Sequence, residues 1–402
     1  MDPDALKILI SANTAWYLAN FRSGLMRALI DAGHEVVATA PADTARSRVE
    51  AIGCRFVDLP MDRRGTSPAR DADLLRRYVG LMRRERPDTF LGFTIKPNIY
   101  GAIAARMLGV PSVNNISGLG TVFERETILT AFVRRLYRHA LAAAEIVFFQ
   151  NADDRDAFVS AGIVRAEQAK LLPGSGVDLA RFAPPDRPPL GHNFLLAGRL
   201  LWAKGVGEYV AAARAVRAQH PDAVFRLLGF VEDGDPASVS FADIAGWEEE
   251  GAVRFCGHTD DVRPFLAEAD CVVLPSYYGE GTPRALIEAA AMGRPIVTTD
   301  RPGCRHVVAD GLTGFLVPPR DTAALAAALN RFAALPAADM AAMGVEARRR
   351  AERYFDEGIV VRAYLEAIDR AHADRAATRT PASGPGVRSE RAALGRERSS
   401  ER

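Results

Sequence analysis

Two doubly wound, parallel α/β domains facing each other across a cleft are what this 402-residue sequence predicts. Three observations carry the prediction. Short apolar runs alternate with longer amphipathic stretches, the pattern of βα units and a parallel sheet. That series occurs twice along the chain. Between the two lies a punctuated stretch holding Pro173, Gly174, Gly176, Pro184, Pro185, Pro188 and Pro189, a density of breakers that marks a boundary. The length suits two domains of roughly 150–200 residues. With 48% hydrophobic and 25% charged residues the chain is globular, and it needs no disulfide or metal staple.

In the first series, residues 7–12 read as a strand, 22–32 as a helix and 35–40 as a strand. Residues 89–94 form a further strand, and 99–108 a helix ended by Gly109 and Pro111, with strands at 110–114 and 146–150. The second series runs strand 194–197, helix 206–219, strands 224–228 and 253–256, helix 262–269, strand 271–274, helix 284–292 and strand 295–299. Helices over 321–335 and 337–354 close it. This gives an N-terminal domain over 1–185, a Pro-rich linker over 173–192 and a C-terminal domain over 191–354. A helix over 355–375 returns to the N-terminal domain, and 376–402, rich in Arg, Ser, Gly and Pro, is expected to be a disordered tail. Ligands of such sheets bind at the carboxyl ends of the strands.

Fifty-one basic residues against 50 acidic ones give a net charge of +1, which argues against a nucleic-acid partner, since that needs a concentrated basic footprint. The charge is unevenly spread: residues 1–190 hold 25 basic and 21 acidic residues, and 191–370 hold 19 and 25. Four cysteines, Cys54, Cys256, Cys271 and Cys304, show no CxxC spacing and fit a reducing cytoplasm. The N-terminus has no signal-peptide pattern, and no run of about 18 apolar residues predicts a membrane span.

The strongest motif is the run from Leu274 to Glu288, LPSYYGEGTPRALIE. A buried strand ends, a glycine-bearing loop turns, and a helix starts near Pro283, a good first-turn residue. The loop's free amides and the helix N-terminus make an anion site. Glu280 lies at its mouth and Glu288 eight residues on along the helix; each carboxylate can accept two hydrogen bonds from a vicinal diol. The second motif, Gly198-Arg199-Leu200-Leu201-Trp202-Ala203-Lys204-Gly205, also joins a strand to a helix, and Arg199 and Lys204 suit a diphosphate. The third, Gly92-Phe93-Thr94-Ile95-Lys96-Pro97-Asn98, brings Lys96 and Asn98 to a strand end, and the fourth, Asn114-Asn115-Ile116-Ser117-Gly118-Leu119-Gly120, brings Ser117, Gly118 and Gly120. Read singly, each of these is also what an ordinary turn or solvated loop would look like.

Other signals fail. The first βα loop, residues 11–21, has no glycine, and the second strand ends Thr39-Ala40-Pro41 without the acidic residue that a dinucleotide fold uses on its ribose. Asp233-Gly234-Asp235 could hold a metal diphosphate, but short Asp/Gly triplets are usually turns. The seven histidines show no metal-ligand spacing, Gly303-Cys304-Arg305-His306 reads as a turn, and there is no nucleophile elbow.

Taken with Gly257-His258-Thr259-Asp260-Asp261-Val262 and Asp310-Gly311-Leu312-Thr313-Gly314-Phe315-Leu316-Val317, these motifs resemble a retaining GT-B glycosyltransferase of the large family-four group, over residues 5–370. The stretches 93–101, 114–123 and 289–295 are similar to bacterial enzymes that extend undecaprenyl-diphosphate-linked sugars, some of which add N-acetylgalactosamine. Gly279 and His306 depart from that subgroup, where Arg and Glu are expected.

The resemblance implies roles. Arg199 and Lys204 bind the diphosphate of a nucleotide sugar, which is UDP-linked and a substrate, so no cofactor is implied. Glu288 binds the ribose, Phe230, His258 and Thr259 hold the base, and Glu280 with Gly281, Thr282 and Pro283 holds the donor sugar. Glu280 and Lys96 are the catalytic candidates, with Asn98, Ser117, Gly118 and Gly120 on the acceptor side. Metal is not needed where cations and a helix dipole neutralise the leaving diphosphate. A polyprenyl-diphosphate-linked acceptor implies work at the cytoplasmic face of the membrane. In the stretch 127–144, Ile128, Leu129, Phe132, Val133, Leu136 and Ala140 recur on one helical face flanked by Arg134, Arg135, Arg138 and His139, as an anionic membrane surface would require. An amphipathic helix in an α/β domain more often buries such a face against its own sheet. Two other readings share the donor motifs: a GT-B sugar-nucleotide epimerase or hydrolase, and a non-catalytic nucleotide-sugar sensor.

Overall fold

The computed structural model describes residues 5–379 apart from 63, 64, 66, 121, 122, 124–126, 188 and 233. Asp233, Pro188, part of the 114–123 stretch and residues 380–402 of the expected tail lie outside the described residues. The first sheet has seven strands: β1 Lys7–Ser11, β2 Glu35–Ala40, β3 Arg55–Asp58, β4 Thr89–Phe93, β5 Ser112–Ile116, β6 Ile146–Phe149 and β7 Ala169–Leu171. The second has six: β8 Asn193–Ala197, β9 Val224–Leu228, β10 Arg254–Phe255, β11 Cys271–Leu274, β12 Ile296–Thr299 and β13 Gly314–Val317. Their orders are β3-β2-β1-β4-β5-β6-β7 and β10-β9-β8-β11-β12-β13, and all the pairings within them are parallel.

Both orders reverse at one place, between β1 and β4 and between β8 and β11. Those are the topological switch points where ligands of open α/β sheets sit. The strands are apolar without alternation because helices cover both faces. Ile8, Ile10, Leu91 and Phe93 face one helical layer of the first sheet, and Leu9, Val37 and Phe90 the other.

The helices account for the differences from the sequence reading. Residues 41–88, given no element there, hold β3 and the helices Arg46–Glu50 and Pro68–Glu85. Pro68 takes the first turn, where its missing N–H costs nothing, and Leu74, Tyr78, Leu81 and Met82 make a narrow buried face. The first βα loop contains a helix, Ala15–Phe21, capped by the Thr14 side chain. The helix expected over 99–108 opens as a π-helical turn, Pro97–Gly101, before Ala102–Met107. The last helix, Glu357–Arg379, crosses back, and its Val360, Tyr364, Ala367 and Ile368 belong to the N-terminal core.

The helix Ile128–Leu141 corrects the single face expected over 127–144. Tyr137, Ala140 and Leu141 are buried and Val133 and Leu136 pack beside them, whereas Ile128 and Phe132 are exposed. Arg138 donates to the carbonyls of Ala161 and Gly162, so its charge is committed to its own domain. The side chain of Leu129 lies outside the described set. No described helix is long and apolar enough to cross a membrane.

Candidate functional site

The loops after β8 and β11 interlock at the second switch point. Gly205 opens the helix Val206–Arg217 with φ +77°, and its bare α-carbon rests on Pro275; a β-carbon there would come within 2.2 Å of the Pro275 carbonyl oxygen. The amides of Tyr277 and Tyr278 both donate to the Ala203 carbonyl, at 2.9 and 3.0 Å. This joins the two predicted donor motifs into one surface. Lys204 forms an ion pair with Glu280, whose carboxylate also accepts from the Ser276 hydroxyl at 3.2 Å. The Arg199 guanidinium and the Lys204 ammonium lie 5.8 and 5.9 Å from the centroid of the Tyr278 ring. Arg199 and Lys204 therefore share one aromatic platform, and the ion pair brings Glu280, up to 81 positions away, beside it.

Glu288 lies further along the helix Arg284–Ala291. Arg284, one turn earlier, holds its carboxylate at 2.7 Å, and both side chains are mostly buried. Burial pushes the Glu288 carboxyl above the ordinary carboxylate range, and Arg284 opposes that shift. Phe230 stacks on His258 with centroids 4.6 Å apart, and Trp16 of the N-terminal domain meets Phe230 edge-on at 6.1 Å. The Thr259 hydroxyl is spent within its own turn, accepting from the Asp261 amide and donating to the Asp261 carbonyl.

On the N-terminal side, Lys96 is gripped by Asp71 at 2.6 Å, with both side chains mostly buried. Asn98 requires a correction. It is almost wholly buried, donating to the Asn115 carbonyl at 2.7 Å and accepting from Asn114 at 2.9 Å. Its amide braces the strand ends and does not face the cleft. Pro283 likewise has no N–H to offer a ligand, and the Thr282 amide donates to Gln150 Oε1 at 3.0 Å. Thr282 thus commits its amide to Gln150 and Pro283 has none, which leaves Gly281 as the position of the three with an amide to offer.

The two domains meet backbone to backbone. Gly118, at φ +116°, lies so close to the facing loop that a β-carbon would be 2.5 Å from the Gly281 nitrogen, and the Gly120 amide donates to the Gly279 carbonyl at 3.1 Å. Both departures from the subgroup pattern fall on this seam. A β-carbon on Gly279 would meet the Gly120 carbonyl at 2.6 Å, so the contact excludes an arginine there in this closed arrangement. His306 faces Asp153 of the other domain at 3.3 Å. Ser117 contributes its carbonyl to the same contact, close to Gly281.

Sequence reasoning missed Gln150, Asn151 and Asp71. The available signal for the first two was a polar pair directly after the apolar strand β6, at its carboxyl end. Among the described residues no group of three His, Cys, Asp or Glu side chains could hold a metal ion.

The arrangement offers two cations and a helix end to a diphosphate, a mostly buried carboxylate to a diol, and an aromatic–imidazole stack to a planar base. Comparison with known proteins points the same way. The model for glycosyl transferases group 1 matches residues 191–334, and that for a glycosyl transferase 4-like domain matches 19–174. The chain is 24% identical over 374 residues to the N,N'-diacetylbacillosaminyl-diphospho-undecaprenol alpha-1,3-N-acetylgalactosaminyltransferase of Campylobacter jejuni, spanning 87% of this chain and 95% of that protein. It is 26% identical to the UDP-Gal:alpha-D-GlcNAc-diphosphoundecaprenol alpha-1,3-galactosyltransferase of Escherichia coli, over 67% of this chain and 72% of that one. The crystal structure of Anabaena HepE in complex with UDP and glucose superposes with a TM-score of 0.72 at 20% identity, covering 93% of this chain and 99% of HepE. A glycosyltransferase from Rickettsia africae matches with a TM-score of 0.72 at 17% identity, covering 92% and 99%.

Proposed function

From the premise that the chain belongs to the group 1 glycosyl transferases, with a glycosyl transferase 4-like N-terminal domain and a GT-B fold, we propose that this glycosyltransferase adds an N-acetylhexosamine from a UDP-linked donor to a polyprenyl-diphosphate-linked glycan during assembly of a bacterial surface polysaccharide. The observation that carries the donor assignment is the convergence of Arg199, Lys204 and Glu280 around Tyr278, with Glu288 and the Phe230–His258 stack leading away from it.

In this reading the base lies against Phe230 and His258, the ribose diol bonds Glu288, and the diphosphate meets Arg199 and Lys204. The donor C1–O bond breaks, and negative charge grows on the departing diphosphate, where the two cations and the end of the helix Arg284–Ala291 stabilise it. The acceptor hydroxyl attacks C1 from the same face, giving retention, and its proton passes to the departing diphosphate oxygen. Glu280 orients the sugar hydroxyls. Lys96, fixed by Asp71, presents a cation on the acceptor side. Since protein cations supply the charge neutralisation, turnover is expected to persist in EDTA.

The same reading sets the enzyme against the cytoplasmic face of the membrane. Its support is the exposed row Ile128, Phe132 and Arg135 on one helix, with Met107 also exposed and its neighbour Arg106 donating to the His139 carbonyl near the other end of that helix. Relatives named for undecaprenyl-linked substrates would meet their acceptors at such a surface. The test is product analysis with labelled UDP-sugars, with and without a membrane lipid extract. Lipid-dependent release of UDP and a lengthened lipid-linked glycan are expected. UDP release without lipid would select a hydrolase, and binding without turnover would select a sensor; either outcome overturns the proposal.

A further inference from the structure

We propose that Gln150, a residue of the acceptor-side domain, is a positioning residue for the donor-sugar loop of the opposite domain, completing that loop only when the cleft is closed. The proposal rests on the donor assignment above. Gln150 follows β6 and is buried. It takes two hydrogen bonds from Thr282, 132 positions away: the Thr282 amide donates to its side-chain oxygen at 3.0 Å, and the Thr282 hydroxyl to its backbone carbonyl at 3.0 Å. The next residue, Asn151, donates to the Glu280 carbonyl at 3.3 Å. Two consecutive residues thus hold the backbone on both sides of Gly281. Gly281 allows the approach, because a β-carbon there would stand 2.4 Å from Gln150 Oε1 and 2.6 Å from the Ser117 carbonyl.

Gln150 is itself fixed from behind. Its Nε2 donates to Asn115 Oδ1 at 3.2 Å, and Asn115 Nδ2 donates to the Tyr364 hydroxyl at 3.0 Å. Tyr364 is fully buried on the helix that crosses back from the C-terminal domain, packed against Phe93 and Phe148 with centroids 5.8 and 4.9 Å away. The chain Tyr364–Asn115–Gln150–Thr282 is a buried polar network whose members restrict one another's orientation. It ends on the loop that carries Glu280, and none of its members bonds directly to Arg199, Lys204, Glu288, Phe230 or His258. Nucleotide binding, which uses those five, is therefore separable from the placement of Glu280.

The experiment compares wild type with Gln150→Leu, which removes both side-chain bonds, and Gln150→Glu, which keeps an oxygen to accept the Thr282 amide. Gln150→Ala replaces the leucine variant should that one not fold. For each protein, UDP affinity is measured by calorimetry, transfer from UDP-N-acetylgalactosamine and UDP-N-acetylglucosamine by steady-state kinetics on lipid extract, and exchange of the Thr282 amide by deuterium labelling. Gln150→Leu is expected to lower kcat about 10-fold or more with UDP affinity within about twofold, to expose the Thr282 amide to exchange, and to be partly rescued by Gln150→Glu. Unchanged kcat in folded Gln150→Leu, or UDP affinity falling in step with kcat, would overturn the proposal. A wild type that transfers no sugar would instead refute the proposed function. The exchange measurement then decides this inference alone: a Thr282 amide no more protected in wild type than in Gln150→Leu would overturn it.

Discussion

Removing one partner of the Lys204–Glu280 pair separates what the pair does for folding from what Lys204 does for transfer. The side chains are 13% and 12% exposed, so the charges are largely out of water. Lys204→Met leaves the Glu280 carboxylate with the Ser276 hydroxyl as its remaining side-chain partner. Breaking a buried pair from one side costs about 3–5 kcal/mol, and the residual exposure here argues for the lower end, about 3 kcal/mol. For a domain of roughly 150–250 residues each kcal/mol moves Tm by about 2–4 °C, so a fall of about 6–12 °C is expected. The double variant Lys204→Met/Glu280→Gln removes both charges and should recover most of that loss, because the cost lies in the stranded carboxylate. Turnover should behave differently: Lys204→Met loses about 100–1000-fold, and the double variant does not recover it, since the diphosphate still lacks its cation. Scanning calorimetry and steady-state turnover on the three proteins decide the matter. A single variant as stable as wild type refutes the pair. Turnover regained in the double variant would mean that Lys204 only neutralises Glu280.

Glu288→Gln should weaken UDP binding measured by calorimetry, whereas Glu280→Gln should chiefly lower transfer; the opposite order would reverse the donor orientation. Gly118→Ala combines a left-handed φ of +116° with a β-carbon 2.5 Å from the Gly281 nitrogen, so it should hold the domains apart. Transfer should then fall about 10-fold or more with UDP affinity kept, and small-angle scattering should show a more open molecule. Burial raises the Asp154 carboxyl from 3.8 to about 6, so the folded state binds the extra proton between those values and stability falls as pH rises from about 4 to about 6, by about 3 kcal/mol. Denaturant titrations across that range should show this slope, and Asp154→Asn should flatten it. Arg135→Glu or Phe132→Ser should weaken sedimentation with anionic liposomes, each lost cation being worth about 1 kcal/mol, or about fivefold; unchanged binding would refute the docking surface.

What the sequence disclosed was contiguous in it. A strand, a glycine turn and a helix start occur within about fifteen residues, so the loops of Arg199, Lys204, Glu280 and Glu288 could be read without knowing what packs on them. Helix Pro68–Glu85 was not legible because arginines and aspartates dilute its buried face to Leu74, Tyr78, Leu81 and Met82. β3 is four residues long, with a charge at each end. The helix Ile128–Leu141 misled differently: period alone groups Ile128 and Phe132 with Val133 and Leu136, and only Phe158, packed against its Tyr137, shows which side is core. Asn98 was misassigned because a polar residue at a strand end can face either the cleft or the next strand, and its partners Asn114 and Asn115 take it inward. The Gln150–Thr282 contact joins residues 132 positions apart, which no local pattern encodes.

The chemistry of the seam explains how a site closed this tightly can still admit a donor. Apart from Trp16 against Phe230, the side-chain contacts named across it are polar, and two of them are solvent-exposed. Arg48 pairs with Asp260 at 3.4 Å with side chains 38% and 73% exposed, and the His306–Asp153 contact is similarly exposed. Exposed pairs of this kind contribute at most about 1 kcal/mol each. The two bonds that Gln150 accepts from Thr282 and the one that Asn151 donates to the Glu280 carbonyl are each worth about 1 kcal/mol net, because parting the domains would return both partners to water. The seam is thus a set of small terms, whereas the crossing helix Glu357–Arg379 buries Val360, Tyr364, Ala367 and Ile368 in the N-terminal core. Opening is therefore expected to separate Gly118 and Gly120 from Gly279 and Gly281 with that helix still docked. Glycines suit this edge for one further reason: a β-carbon at Gly118, Gly279 or Gly281 would hold the two backbones apart and keep Gln150 from Thr282.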